Sequence, residues 1–107
     1  MTSEQFARAI AMERDSILQV YFKESPTTAV GEQIKALNLS EPQMAALRQI
    51  INGALTDMCY TLLLGIDGAT SFGNLGQKQF QLLDEDGNLL TDGELEAAAS
   101  EVFGESQ

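Results

Sequence analysis

The residues from Ser40 to Gly68 constrain the fold more than any other part of the chain. Ser40 is a good N-cap, and Gln43, three residues later, completes a capping-box pattern. Pro42 is tolerated because the first helical turn has no use for its missing N–H. Met44, Leu47, Ile51, Ala54, Met58 and Leu62 recur at spacings of three and four, which puts them on one face. Ile50, Leu55, Cys59, Leu63, Leu64 and Ile66 lie off that stripe, so the helix becomes apolar all round and needs cover on several sides. The pattern predicts a helix over about 40–66, amphipathic in its first half and central to the core in its second, about 39 Å long at ~1.5 Å per residue. The unbroken apolar run is too short to span a membrane, which takes about 20 residues, and Asp57 and Asp67 bracket it.

A chain of 107 residues with 44% apolar content is long enough for one domain with its own core. The single cysteine, Cys59, excludes an intramolecular disulfide. The N-terminal segment has no basic-then-apolar signal pattern, which points to a cytoplasmic protein.

The formal charge is −10, and it is unevenly placed. Up to Ala54, Arg8, Arg14, Lys23, Lys35 and Arg48 nearly balance six acids; beyond it, Lys78 alone faces ten. Such a chain is ill suited to contact nucleic-acid phosphates directly. Its acidic half suits a basic protein partner or a cation, or simply keeps the protein soluble.

Around the long helix the other segments fall into place. Thr2 and Gln5 cap a first helix running to about Lys23, with Phe6, Ile10, Ile17 and Tyr21 as its stripe. Glu13 falls inside that stripe and needs solvent, an arginine such as Arg14 or Arg48, or a functional partner. Met12, Leu18 and Phe22 lie off the stripe, and this surplus, with the length of the central helix, predicts a homodimer. Pro26 suits the opening of a short second helix to about Leu37, with Val30, Ile34 and Leu37 on one side, and Asn38 suits its stop. Residues 67–77 hold three glycines and no periodicity, hence a loop, with Phe72 and Leu75 turned back onto the core. Gly68 and Gly73 have P-loop spacing, but Asn74 and Leu75 stand where Lys and Ser or Thr are needed. A small-molecule site between this loop and the helices is one alternative for function.

Residues 79–90 read as a β-hairpin: Phe80 and Leu82 alternate with Gln79 and Gln81, and Asp86-Gly87 is a hairpin turn signal. Thr91 and Glu94 form a capping-box pattern for a last helix to about Phe103, with Leu95, Ala98, Ala99 and Val102 inward, followed by Gly104 and a frayed tail. The fold class expected is therefore mainly α with a β element (α+β): a helical bundle around one long helix, a small C-terminal β-hairpin and a final helix.

Asp84, Asp86, Asn88 and Glu94 also have the alternating oxygens of an EF-hand, which makes a calcium-binding regulator a second alternative. The glycine needed after Asn88 is absent, so the loop is one residue short, and a solvated turn is the preferred reading. The long helix ending in Ile66-Asp67-Gly68, the glycine-containing loop, and the run Phe80-Gln81-Leu82-Leu83-Asp84-Glu85-Asp86-Gly87 before a final helix resemble a loose group of small uncharacterised bacterial proteins. The resemblance spans the second half of the chain and implies a fold, without an activity.

Without histidine the usual near-neutral general base, the usual zinc ligand and Ser-His or Cys-His dyads are unavailable. Cys59 is expected to be buried and inert. The function expected is non-enzymatic and needs no cofactor: an acidic interaction protein of adaptor, inhibitor or immunity type. Its candidate partner-binding residues are Glu13, Asp84, Glu85, Asp86, Asp92 and Glu94.

Overall fold

The computed structural model describes residues 1–104, and the tail expected at 105–107 lies outside them. Among the described residues there are four helices, α1 (Ser3–Tyr21), α2 (Ala29–Ala36), α3 (Glu41–Ile66) and α4 (Glu94–Phe103), and no strand.

Local chemistry sets most of these boundaries. Thr2 and Ser40 each make the reciprocal capping box with Gln5 and Gln43, satisfying two orphan donors at each helix start. The hydroxyl of Thr28 accepts from Gly31 N–H at 3.0 Å and opens α2. Gly31 packs against Thr28, Pro26 and the Tyr21 carbonyl, where even a Cβ is tight. Asn38 ends the segment with φ +52°, a left-handed conformation that asparagine tolerates better than most residues.

The core lies where α1, α3 and α4 meet. It is built from Ala7, Leu63, Leu95, Ala98, Ala99 and Phe103, with Phe6, Ile10, Tyr60 and Ile66 packed around it. Small residues on α4 let its backbone come close to α1 and α3. Arg14 ties the three helices together: it donates to the Thr56 hydroxyl at 2.9 Å, holds Asp15 at 3.0 Å and lies over the Phe103 ring at 5.4 Å. Thr56 is 1% exposed, so this bond replaces the water the hydroxyl would otherwise lose.

Three faces turn in part differently from the expectation. On α1 the buried positions are Ser3, Ala7 and Leu18, so Leu18 points inward, while Phe6 and Ile10 of the expected stripe pack around the core and Glu13 reaches solvent, one of the outcomes expected for it. On α3 the buried positions are Thr56, Leu63 and Gly65, while Ile50, Met58 and Leu62 stay open to solvent. Of the inward side expected for α2 only Ile34 is buried, and Leu37 is exposed.

The β-hairpin expected over 79–90 is not formed, and the regular elements among the described residues are all helices. One antiparallel bridge, Leu83 with Leu89, stands alone, flanked by Leu90 N–H to Leu82 O at 2.8 Å and Asp84 N–H to Asn88 O at 3.0 Å. Two competing bonds stop the ladder. The Thr91 hydroxyl takes Leu82 N–H, and the Asp84 carboxylate takes Asn88 N–H. Side chains offering such local bonds draw backbone away from sheet pairing. Leu83 and Leu89 are also exposed, and an uncovered two-stranded ribbon is marginal in water.

The start of α4 is the second correction. Thr91 does not cap it; the N-cap is Gly93, at φ +97° and without a side chain to offer. Asp67, just past the end of α3, caps α4 instead. Its Oδ1 accepts from Gly93 N–H at 3.1 Å and its Oδ2 from Glu96 N–H at 2.8 Å. The carboxylate is buried and lies at the positive end of the α4 dipole. Loop 67–77 is held beside this junction: the Phe72 ring fills the space over Gly65 so closely that a Cβ there would overlap it, while Leu75 is exposed rather than tucked in.

Asp67→Ala should therefore destabilise the fold by about 2 kcal/mol, the cost of a lost cap with buried donors left open. For a domain of this size that lowers Tm by on the order of 10 °C. An unchanged melting curve would show that the cap is not what seats α4. Gly65→Ala should cost about 1–3 kcal/mol by overpacking against Phe72, measured by urea unfolding, and be relieved in part by pairing it with Phe72→Leu.

Candidate functional site

The segment 82–101 holds most of the acids singled out from the sequence, and the structure sorts them into two kinds. Asp84 faces inward. Its oxygens accept Asp86 N–H, Asn88 N–H and the Asn88 side-chain amide, each at 2.9 Å, and the Met1 ammonium, also at 2.9 Å. Gly87, at φ +83°, lets the chain reverse around this carboxylate. Asp84 is thus the organiser of the turn. The Asn88 side chain, the ammonium and the backbone amides together hold its pKa well below the ordinary carboxylate range.

The second kind faces solvent. Glu85, Asp86, Asp92, Glu94, Glu96 and Glu101 are all exposed. Asp92 spends one oxygen on Glu94 N–H at 3.3 Å. Glu94 and Glu96 occupy the first turn of α4, where negative charge is favoured. Besides the Met1 ammonium on Asp84, Arg8 lies close to this surface, binding Glu4 at 2.9 Å and reaching Glu101 at 3.8 Å. Both contacts are exposed and contribute little to stability.

Beside the turn lies a hollow of about 270 Å³ with an apolar floor of Phe6, Leu82, Leu83 and Leu90; Met1, Asp84, Glu85 and Asp86 also line it, and Asp84 neutralises the Met1 ammonium there. Ser3 fastens its edge by donating to Leu90 O at 3.1 Å. Apolar floor and acidic side together match the aliphatic stem and charged head of a long basic side chain.

Glu13 lies elsewhere. It lines a shallow cavity with Ser16, Ile17, Val20, Tyr21 and Thr28 near α2, and Arg14 turns away from it towards Thr56 and Asp15. The calcium-ligand alternative places Asp84, Asp86 and Asn88 on one turn, with the Asp84 oxygens already engaged by backbone amides and an ammonium. Among the described residues no three His, Cys, Asp or Glu side chains gather as a metal site would require. Loop 67–77 lines neither the hollow beside the turn nor the groove of about 370 Å³ bounded by Tyr21, Phe22, Ile34 and Met44.

Cys59 is half-buried. Burial pushes its thiol up, and the charge of Arg14 offsets only part of that, so the thiolate a nucleophile needs is disfavoured. No helix of the described residues is long and apolar enough to cross a membrane.

Asp67 is the structural residue that local pattern reading overlooks, because its partners lie 26 and 29 residues away. Asp84 carries a visible signal: an aspartate two residues before Asp-Gly-Asn is suited to fold its carboxylate onto the following amides.

The chain matches no family model, no curated protein and no solved structure.

A depressed carboxylate lends stability that is complete above its unfolded value and fades as pH falls through its folded one. Asp84→Asn should therefore lower the urea midpoint at pH 7, and the gap to the native protein should close as pH drops below 3.8, the ordinary value for this group. A gap of constant size down to acid pH would show that the charge on Asp84 is not what holds the turn.

Proposed function

We propose that this chain is a non-enzymatic interaction protein of the cytoplasm that offers an acidic surface to a basic protein partner. The observation that carries the reading is the apolar hollow at Phe6, Leu82 and Leu90 with Glu85 and Asp86 at its side. A lysine or arginine of the partner lays its stem on that floor and its charge against the acids. Asp92, Glu94, Glu96 and Glu101 extend the negative field along α4, which steers a basic partner and disfavours an acidic one. Asp84 supports the surface from behind by shaping the turn. Adaptor, inhibitor and immunity proteins are the kinds of molecule that work this way.

The separation of charge supports the same orientation. Lys23, Lys35 and Arg48 outnumber Glu24 and Glu41 around the groove at the α2 end, and α2 makes no contact with α4. The acidic end is left with Arg8 and the Met1 ammonium, the latter already paired with Asp84.

The test is binding to the partner recovered from the native host by crosslinking, with crosslinked sites read by mass spectrometry. Glu85→Gln with Asp86→Asn should weaken binding at least tenfold, as should the triple change Glu94→Gln, Glu96→Gln and Glu101→Gln, and added salt should reproduce the loss. Affinity unaffected by all these changes and by salt would reject the acidic surface as the contact.

A further inference from the structure

α3 has two apolar sides, and its own chain covers one of them. Thr56 and Leu63 face α1 and α4 and are buried. Ala54 lies about 180° around the helix from Leu63 at ~100° per residue, with Leu47, Ile51, Leu55, Met58 and Leu62 on the same flank. Ile50, Met58 and Leu62 are 67%, 60% and 43% exposed, and Leu47, Ile51 and Leu55 between them are half-buried. The stripe ends at Gly65, where Phe72 closes over the helix. Isolated exposed apolar residues are ordinary; a continuous stripe along several helical turns marks an interaction surface.

We propose that a second copy of this chain covers the stripe, with the two α3 helices packed antiparallel across a two-fold axis. Area is the first argument. The chain exposes 7069 Å², about 1,200 Å² more than the roughly 5,800 Å² typical of a monomeric protein of its mass. A stable interface takes about 800 Å² from each partner, so the excess is of the size a dimer removes. The radius of gyration, 16.3 Å, also exceeds the ~13 Å of a compact chain of this length.

Self-complementarity is the second argument, and it selects a copy of the chain over an unrelated partner. An isologous interface must satisfy itself. With the axis between Ala54 and Leu55, Ala54 meets Leu55 of the second copy, Ile51 meets Met58 and Leu47 meets Leu62. These three pairs are apolar. Of the charged residues, Arg48 falls opposite Thr61 and Asp57 opposite Asn52, so no like charges oppose each other across the axis. The acids of α4 stay on the far side of α3, where dimerisation neither buries nor crowds them. The dimer therefore stands or falls independently of the acidic surface.

Sedimentation velocity at tens of micromolar should give a single species of twice 11.6 kDa. Met58→Arg together with Leu62→Arg should raise the dimer dissociation constant at least a hundredfold and leave the helical circular dichroism unchanged, since both side chains are open to solvent in the single chain. A monomeric native protein at that concentration would overturn the proposal, and so would a dimer indifferent to the double change. Ala54→Cys in a Cys59→Ser background gives a second test that leaves the stripe apolar. Oxidation should link two chains covalently, and failure to crosslink would also overturn the proposed axis.

Discussion

The fold depends on how one helix distributes its apolar surface. α3 runs for 26 residues, and hydrophobic side chains surround its second half. The remaining chain is short, and its other helices can cover only one side. α1 and α4 take the side marked by Thr56 and Leu63, and the loop with Phe72 closes the helix end at Gly65. What is left over is an apolar stripe from Leu47 to Leu62. The elongated shape, the excess surface and the proposed pairing of two copies all follow from this shortfall of cover.

Polar contacts decide which side is covered. Hydrophobicity alone does not choose between the two flanks of α3, since both are apolar. The Arg14–Thr56 bond favours the observed side, because turning α3 would bury leucine and methionine while leaving Arg14 without its partner. Asp67 then fixes the register of α4 by receiving its first free amides. With α4 seated, Leu95, Ala98, Ala99 and Phe103 complete the core. Arginine, threonine and aspartate thus place a core made almost wholly of aliphatic and aromatic groups.

This explains what could be read from the amino acids and what could not. Capping boxes at Thr2 and Ser40, the stop at Asn38 and the inward face of α4 are local, and local patterns predict them. The inward face of α3 is set by a residue on another helix, and the cap of α4 comes from a position 26 residues earlier. Neither leaves a trace in periodicity. The hairpin expected over 79–90 fails for a different reason: its alternation and turn are real, but the side chains of Asp84 and Thr91 take the donors that a ladder would use. Within the candidate site, the exposed acids of the turn and α4 were visible from charge alone. The apolar hollow beside them was not, because Phe6 joins Leu82 and Leu90 only when α1 is docked.

The molecule thus has surfaces of two kinds, an apolar stripe on α3 suited to its own copy and an acidic face near α4 suited to something basic. They lie on opposite sides of the long helix, so both can be occupied together. Hydrogen exchange of the α3 amides across a dilution series tests this division most directly. The account predicts that protection around Leu47–Met58 rises with protein concentration while that of α4 stays constant. Protection along α3 that is the same at every concentration would contradict it.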